Sequence, residues 1–233
     1  DGLRRHTSRE KRLEIITGIA HQAALTVQNE RLQQARLSSE RMERELELAR
    51  EIQQTFIPDN SLVDRVDSGW DIAVEWRAAR HVAGDFYDLI ELEPGVYGIL
   101  VADVTGHGIH AALLAFMSAL SFKTAAPGQR STRAVLRQVN EQLVGKLHRG
   151  NFVAMFYAIV DANRRTLTYT QAGIPPALLL SQERQAVLRL EAKSPMLGLF
   201  EGASFVERTL SLEPGDKVLF YTDAITEATR ADG

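Results

Sequence analysis

Residues 101–109, VADVTGHGI, join two apolar segments of different kinds. The residues before them predict a buried strand over 96–103, and the residues after them predict an apolar helix over 108–126. Asp103 ends the strand, so its carboxylate is expected at the edge of a sheet. A carboxylate in such a place is costly to bury unless it is paired or binds a cation. The stretch therefore predicts a strand, a glycine-containing turn and a helix built around one acidic side chain.

Short strands and turns surround this stretch on both sides. Upstream, a strand at residues 86–91 and the strand at 96–103 flank Glu-Pro-Gly, a turn sequence, and predict a hairpin. Downstream, residues 131–147 predict an amphipathic helix that Ser131 can cap. Further strands are predicted at residues 71–79, 153–161, 166–171, 177–180, 187–190, 205–210 and 217–221. Hairpins, a helix pair and more hairpins indicate an α+β fold, in which antiparallel sheets carry helices on the outside.

Three aspartates end or border predicted strands, each beside a glycine or a turn-prone sequence. They are Asp85 in VAGDFYD, Asp103, and Asp223 at the end of VLFYTD. We expect the three carboxylates to project into one cleft at the sheet edge. Carboxylates, backbone carbonyls and water are the ligands that suit Mg²⁺ or Mn²⁺. Two such ions can activate one water and clamp both oxygens of a phosphoryl displacement. Any one of these aspartates, taken by itself, is better explained as the cap of a turn.

Other chemistry-bearing residues are interpreted as structural. His107 lies between two glycines and is read as a loop residue, although it is also a possible metal ligand. Trp70 and Trp76 are read as packing residues. The sequence offers no cysteine nucleophile and no Ser-His-Asp arrangement that would compete with metal chemistry.

A long helix is predicted ahead of this domain. Residues 9–56 contain no proline and one glycine, and Leu25, Leu32 and Leu46 share one heptad position. A second heptad position on the same face carries Ala35, Met42, Ala49 and Phe56. We call these two positions the seam, which is typical of a coiled coil and cannot be buried by a lone helix. We expect a homodimer through this helix, the alternative being a helix that folds back on its own domain. Pro58 is expected to end the helix.

The composition is that of an ordinary soluble protein. The chain has 233 residues, is 45% hydrophobic and 24% charged, and carries a net charge of -3. It therefore lacks the basic footprint of a nucleic-acid-binding protein, and the absence of cysteine excludes disulfides, zinc ribbons and thiol catalysis. No stretch approaches the roughly 20 apolar residues of a membrane span, and the N-terminus lacks a signal-peptide core. We expect a cytoplasmic protein with neither nucleic acid nor membrane as a partner.

Taken in order, the motifs resemble the metal-dependent protein phosphatase (PPM) superfamily, in its bacterial SpoIIE/RsbU branch. The resemblance rests on LAREIQQTFIP (48–58), GDFYD (84–88), DVTGHG (103–108), AGIPP (172–176), LEPGD (212–216) and YTD (221–223). It covers about residues 43–230. Residues 3–34 resemble, more loosely, the exit helix of a GAF sensor domain. We therefore divide the chain into a helical, coiled-coil linker at 1–57 and a phosphatase domain at 58–233.

The resemblance implies a fold and a reaction. The fold is a β-sandwich of two antiparallel sheets flanked by helices. The reaction is hydrolysis of phosphoserine or phosphothreonine with two Mn²⁺ or Mg²⁺ ions, through attack of a metal-bridging water. Asp103 would bridge the two metals, and the backbone carbonyl of Val104 would complete one site. Asp85 would serve the second metal and Asp223 the first, while Asp88 would support the site or the fold.

The resemblance also implies a signalling role. In this branch the substrate is commonly a phosphoserine on a STAS-domain anti-anti-sigma factor, whose dephosphorylation leads to release of a sigma factor. The dimeric N-terminal helix would pass a sensor signal to the catalytic domain. The helices at 108–126 and 131–147 would act as the switch beside the metal site.

The sequence departs from the family pattern at several positions. Ala224 stands where glycine usually follows the third aspartate, Ile174 replaces a polar residue, and glycine and threonine are more usual at Ala83 and Ala154. The family continues through a further helix and strand to a final aspartate, whereas this sequence stops at Gly233. We therefore expect either a fragment or a first metal site that lacks one ligand. Two alternatives stay open: a non-catalytic dimeric module that binds a phosphoprotein and relays a signal, and a metal-dependent phosphatase of small molecules.

Overall fold

The N-terminal segment forms one long helix. The computed structural model describes residues 2–58, 70–77, 82–106, 108–147, 150–183 and 185–227, and helix α1 runs over Gly2–Gln54. Good helix formers and the absence of proline explain its length. The amide of Phe56 still donates to the Gln53 carbonyl over 3.0 Å. The chain thus leaves the helix in a tight turn, four residues before Pro58.

Two compact units divide the chain, Asp1–Leu48 and Ala49–Gly233. In the first unit, seam residues lie open to solvent: Leu25 is 41%, Leu32 61% and Met42 54% exposed. Exposed apolar side chains on a helix favour a partner helix. None of the described helices has the length and apolar character that crossing a membrane requires.

The second unit contains nine strands in two sheets, counted over its described residues. The strands are β1 (Phe86–Glu93), β2 (Val96–Val104), β3 (Val153–Asp161), β4 (Thr166–Ala172), β5 (Ala177–Ser181), β6 (Ala186–Leu190), β7 (Lys193–Ser194), β8 (Arg208–Ser211) and β9 (Lys217–Leu219). Sheet A has the order β1-β2-β3-β4-β7, with β8 also paired to β4, and sheet B has the order β6-β5-β9. All pairings are antiparallel except that of β4 with β7.

Most predicted strands are confirmed, and the differences have local causes. β7 has two residues and therefore no periodicity to detect. β8 begins at Arg208 rather than at 205, because Phe205 is buried against the helix side of sheet A instead of extending the strand. β9 ends at Leu219 rather than at 221. The strand predicted at 71–79 is wrong over 71–77, which form no strand, and 78–79 lie outside the described residues.

Two helices cover one face of sheet A. They are α2 (Ile109–Ala125) and α3 (Thr132–Leu143). Ser131 caps α3 as predicted, accepting a hydrogen bond from the Ala134 amide over 3.2 Å. Helix α3 ends before the predicted residue 147, because Val144 adopts an extended conformation with φ -57 and ψ 133. Gly145 then takes a φ of +76, which turns the chain away from the helix axis.

Sheet A lies between two apolar layers. Leu100, Phe122 and Tyr157 belong to the core between this sheet and helices α2 and α3. Phe156 and Leu179 belong to the core between sheets A and B. Neighbouring residues of β2 therefore face different layers: Ala102 and Val104 face the helices, while Val101 packs in the inter-sheet core. The α+β sandwich flanked by helices is thus confirmed, and the alternation places Asp103 on the inter-sheet face.

Candidate metal centre

Asp103 and Val104 end strand β2 on opposite faces of the sheet. Val104 is 1% exposed, and its side chain packs in the core beneath helix α2. Asp103 lies on the other face and is partly exposed. Strand β3 fixes both positions, since Asp103 pairs with Ala154 and Val104 with Val153. The buried Val104 side chain thus anchors the strand end, while Asp103 points toward the gap between the sheets.

Asp85 approaches Asp103 from the neighbouring strand. Strands β1 and β2 begin their pairing with Phe86 opposite Ala102. One step back along this antiparallel register, Asp85 stands opposite Asp103. The residue before it, Gly84, comes so close that a Cβ there would lie 2.7 Å from the Val104 carbonyl oxygen and 3.5 Å from Asp103 Oδ1. Only a residue without a side chain therefore fits beside these two predicted metal ligands.

Asp223 lies in the segment that follows strand β9 of sheet B. It opens a short 3-10 helix, Asp223–Ile225, which follows strand β9. The Asp223 carbonyl accepts hydrogen bonds of 2.8 Å from the Thr226 and Glu227 amides. These bonds hold the turn that presents Asp223 to the end of the inter-sheet layer. The structure thus pairs Asp85 with Asp103 and places Asp223 near enough to act on Asp103 through its charge.

The three carboxylates influence one another electrostatically. Burial, a hydrogen bond shared with Asp85, and the negative charges of Asp85 and Asp223 raise the pKa of Asp103 to about 7. Asp85 is thus the near partner of Asp103, and Asp223 acts through its charge from farther away. A divalent cation would remove this repulsion, because carboxylates that share a site ionise together only when a positive charge compensates them.

Hydrogen bonds join the loop after β2 to the residue that precedes β3. Thr105 Oγ1 donates to the Phe152 carbonyl over 3.1 Å and accepts from the Phe152 amide over 3.0 Å. Gly106 and Gly108 then take φ values of +98 and +75, which only glycine adopts without strain. These contacts fix the direction of the Val104 carbonyl. His107, a possible ligand, lies outside the described residues.

The sequence does not indicate the residues that hold the backbone around Asp85. Gln53, near the end of α1, donates to the Ala83 carbonyl over 2.6 Å and accepts from the Ala83 amide over 3.0 Å. Trp76 donates its indole N–H to the Asp85 carbonyl over 3.1 Å. The sequence predicts only a packing role for Trp76, and no local pattern reveals contacts between residues so far apart. Trp70 packs against the inter-sheet core as expected.

Asp88 supports the fold from the other side of β1. It is 3% exposed, and its Oδ1 accepts from the Leu89 amide over 3.0 Å. Lys123 of helix α2 places its Nζ 3.5 Å from Oδ2 and forms an ion pair with it. Burial raises the pKa of Asp88, and Lys123 counteracts part of that effect. Asp88 therefore ties α2 to β1 and stands apart from the metal ligands.

The AGIPP segment is a structural corner at the edge of the inter-sheet core. Ile174, which replaces a polar residue of the family pattern, is 4% exposed and packs in that core. Gln171 holds the corner by donating to the Ile174 carbonyl over 2.6 Å and accepting from the Ala192 amide over 3.1 Å. The departure from the pattern thus exchanges a polar side chain for a buried apolar one and leaves the three aspartates untouched.

The oxygen atoms gathered at the ends of β1 and β2 fit a small divalent cation. The donor set is the Asp85 and Asp103 carboxylates and the Val104 carbonyl, which are hard oxygen ligands of the kind Mg²⁺ and Mn²⁺ prefer. Gly84 lets the backbone approach these oxygens closely, since a Cβ there would lie 2.7 Å from the Val104 carbonyl oxygen. Over the described residues, however, no group of three or more His, Cys, Asp or Glu side chains is gathered closely enough to hold a metal. Asp223 acts on Asp103 through its charge.

The fold is shared with solved phosphatase domains. The SiaA-PP2C domain of Pseudomonas aeruginosa superposes with a TM-score of 0.64 at 23% identity, over 78% of this chain and 71% of that one. The RsbU and RsbW domains of Rv1364c from Mycobacterium tuberculosis give a TM-score of 0.56 at 25% identity, over 64% of this chain and 41% of that one. The architecture is thus that of PP2C-type domains.

Sequence comparison gives the family. Residues 93–233 match the family of Stage II sporulation protein E (SpoIIE), and the chain therefore belongs to the SpoIIE family. It is 30% identical over 190 residues to phosphoserine phosphatase RsbP of Bacillus subtilis, covering 80% of this chain and 46% of RsbP. It is 28% identical over 189 residues to phosphoserine phosphatase RsbU of the same species, covering 81% of this chain and 55% of RsbU. The chain spans about half the length of these relatives.

Proposed function

We propose that the chain carries a metal-dependent protein phosphatase that hydrolyses phosphoserine or phosphothreonine. The observation that carries the proposal is the close approach of Asp85, Asp103 and the Val104 carbonyl beside Gly84. Membership of the SpoIIE family supports it, as do the relatives named phosphoserine phosphatases. The proposal assigns Asp85, Asp103 and Asp223 to catalysis.

Two Mn²⁺ or Mg²⁺ ions are part of the proposal. When bound, such ions supply an activated water at neutral pH and neutralise charge on phosphoryl oxygens. Asp103 would be shared between the two ions, with the Val104 carbonyl on one of them. Asp85 would hold the second ion and Asp223 the first. The backbones of Asp85 and Asp103 are kept in place by the β1–β2 register and the Thr105–Phe152 contacts, which supports preorganisation of these two ligands.

The proposed substrate is a phosphoserine on a STAS-domain anti-anti-sigma protein. Support comes from the names of the relatives, phosphoserine phosphatases RsbP and RsbU, and from the neighbour that joins RsbU and RsbW domains. Such a reaction would place the chain in sigma-factor regulation, and we propose that it takes place in the cytoplasm.

We further propose that α1 forms a dimeric coiled coil that follows a GAF-like sensor domain. The exposed seam residues Leu25, Leu32 and Met42 support a second helix as the partner. The division into a linker at 1–57 and a phosphatase domain at 58–233 belongs to the same proposal. In it, the linker relays a sensor signal to the catalytic domain.

A specific observation favours one alternative, a non-catalytic module that binds a phosphoprotein. Asp223 does not join the other carboxylates closely enough, within the described part of the chain, to form a three-residue metal group. Such a module would keep the cleft and the dimeric helix but lack turnover. A phosphatase of small molecules, the other alternative, would turn over free phosphoserine and ignore phosphorylated proteins.

The experiment is Mn²⁺-dependent release of phosphate from p-nitrophenyl phosphate, a phosphoserine peptide and free phosphoserine. We expect activity on the first two that needs Mn²⁺ and falls at least about 100-fold in Asp103→Asn, since that change removes a ligand shared by both ions. Asp71→Asn is the matched control, because Asp71 is exposed, and it should keep full activity. Mn²⁺ binding without any turnover would establish the binding module instead.

A further inference from the structure

One contact of the metal centre is not explained by the roles proposed so far. Thr222 Oγ1 donates a hydrogen bond to Asp85 Oδ2 over 2.6 Å, across 137 positions of sequence. Both side chains are half-buried. A hydrogen bond from a hydroxyl to a carboxylate is among the stronger ones in proteins, and its donor fixes the plane of the carboxylate.

The position of Thr222 in its own segment makes this contact unexpected. Thr222 is the N-cap of the 3-10 helix Asp223–Ile225, a position where threonine commonly accepts a hydrogen bond from the backbone of the following turn. Here the side chain makes no such cap bond. Its hydroxyl donates instead to the Asp85 carboxylate, which lies 137 positions earlier in the sequence.

Apart from the hydrogen bond that its carboxylate shares with Asp103, the other contacts near Asp85 hold its backbone. The Gln53 side chain hydrogen-bonds both the amide and the carbonyl of Ala83, and the Trp76 indole donates to the Asp85 carbonyl. The loop is therefore fixed without Thr222. What Thr222 adds is control over the orientation of the carboxylate, and with it the direction in which Oδ1 presents its lone pairs.

We infer that Thr222 is a positioning residue of the metal centre, which holds the Asp85 carboxylate in the orientation that binds a cation and ties it to the segment carrying Asp223. The inference rests on the proposed function only in requiring that the chain binds a divalent metal. Partners that orient a metal ligand typically contribute 10- to 100-fold to metal affinity.

The test compares Thr222→Val, which keeps the shape and loses the hydroxyl, with Thr222→Ser, which keeps the hydroxyl. The readout is Mn²⁺ binding by isothermal titration calorimetry on the 233-residue chain. We expect Thr222→Val to weaken binding by about 10- to 100-fold and Thr222→Ser to stay close to the unsubstituted chain. Thr209→Val is the matched control: Thr209 shares a 2.9 Å hydroxyl hydrogen bond with Thr168 on an exposed strand pair, and its loss should leave Mn²⁺ affinity unchanged.

A double substitution asks whether the effect passes through Asp85. In an Asp85→Asn background, Thr222→Val should cause no further loss of Mn²⁺ affinity, because the oriented carboxylate is already gone. A full additional loss in that background would overturn the inference, as would unchanged affinity in Thr222→Val or equal weakening in Thr222→Ser. If circular dichroism shows that Thr222→Val fails to fold, Thr222→Ala gives the same comparison without the bulk of valine.

The outcomes separate this inference from the proposed function. Weaker Mn²⁺ binding in Thr222→Val supports the positioning role even if the chain hydrolyses no phosphoserine peptide. Mn²⁺-dependent hydrolysis together with unaltered Mn²⁺ affinity in Thr222→Val would overturn the positioning role and leave the phosphatase intact. An unsubstituted chain that binds no Mn²⁺ would overturn the positioning role as well.

Discussion

Position 84 leaves no room for a side chain. A methyl group there would stand 2.7 Å from the Val104 carbonyl oxygen, and this obstacle is backbone that cannot rotate away. We expect Gly84→Ala to displace either the Asp85 loop or the end of β2. Overpacking of this kind costs about 1–3 kcal/mol, and the displaced carbonyl should weaken Mn²⁺ binding. Calorimetric titration with Mn²⁺ and a thermal melt of the same sample measure both effects.

The control for this substitution is another glycine of the same chain. Gly18 lies within helix α1, and a Cβ added there would meet no atom within 4 Å. Gly18→Ala should therefore leave Mn²⁺ binding unchanged and favour the helix slightly. Unimpaired Mn²⁺ binding in Gly84→Ala would contradict a metal site formed by Asp85 together with the Val104 carbonyl.

Single residues of the site differ in how far the sequence predicts them. Asp85 and Asp103 are predictable because each borders an apolar strand, and this pattern is local. Thr222 and Gln53 are not, since their partners lie 137 and 30 positions away. Hydroxyl and amide side chains have no periodicity that marks such contacts. The ligands of a site are therefore easier to predict than the residues that hold them.

At the scale of elements, the start of helix α3 depends on an acidic residue from a distant segment. Glu207 Oε2 accepts hydrogen bonds from Ser131 Oγ, Thr132 Oγ1 and the Arg133 amide at 2.8, 3.0 and 3.0 Å. Burial disfavours the ionised carboxylate, but these hydrogen bonds outweigh it and hold the pKa of Glu207 below its ordinary value of 4.5. A negative charge at a helix N-terminus adds to the stabilisation.

This arrangement predicts a pH-dependent contribution to stability. Because the folded pKa is lowered, the stabilisation is complete above about pH 4.5 and is lost as the pH falls through the lower, folded value. Glu207→Gln should reduce the free energy of unfolding by about 1 kcal/mol at pH 7, and the difference should vanish in acid. Denaturant unfolding from pH 7 to pH 3 measures it. Glu201→Gln, at an exposed position, should show no difference at any pH; a constant deficit in Glu207→Gln would contradict the argument.

Helices and strands with a clear hydrophobic periodicity or a capping residue are predictable from the sequence, and the other elements are not. Strand β3 agrees with the prediction at both ends, because it is buried throughout and bounded by turn residues. The segment 71–77 alternates like a strand yet forms none. Alternation predicts a strand only where a neighbour supplies the backbone partners, and that depends on the sheet rather than on the segment.

At the scale of the whole molecule, the exposed seam predicts self-association. Glutamates placed at Leu32 and Leu46 should abolish the dimer, because a charge on the seam cannot be buried against a second helix. Sedimentation equilibrium of the 233-residue chain measures the mass directly. A chain that is already monomeric without substitution, or a dimer that survives both glutamates, would contradict the proposed coiled coil.

The matched control adds the same charge outside the seam. Gln33 and Gln34 are exposed on α1, and neither lies at a seam position. Gln33→Glu with Gln34→Glu should therefore leave the mass of the dimer unchanged. If this pair also dissociates the chain, general charge repulsion rather than the seam explains the effect of the first pair.

The hydrogen bond between Thr222 and Asp85 has a consequence for biosynthesis. Its partners are 137 residues apart, so a nascent chain displays Asp85 and Asp103 long before Thr222 and Asp223 leave the ribosome. Contacts of such separation close late. A partly synthesised chain can thus fold most of sheet A while its metal centre is still unfinished. A chain cut short before Thr222 would lack both Asp223 and the hydroxyl that holds the Asp85 carboxylate, so its candidate metal centre would stay incomplete.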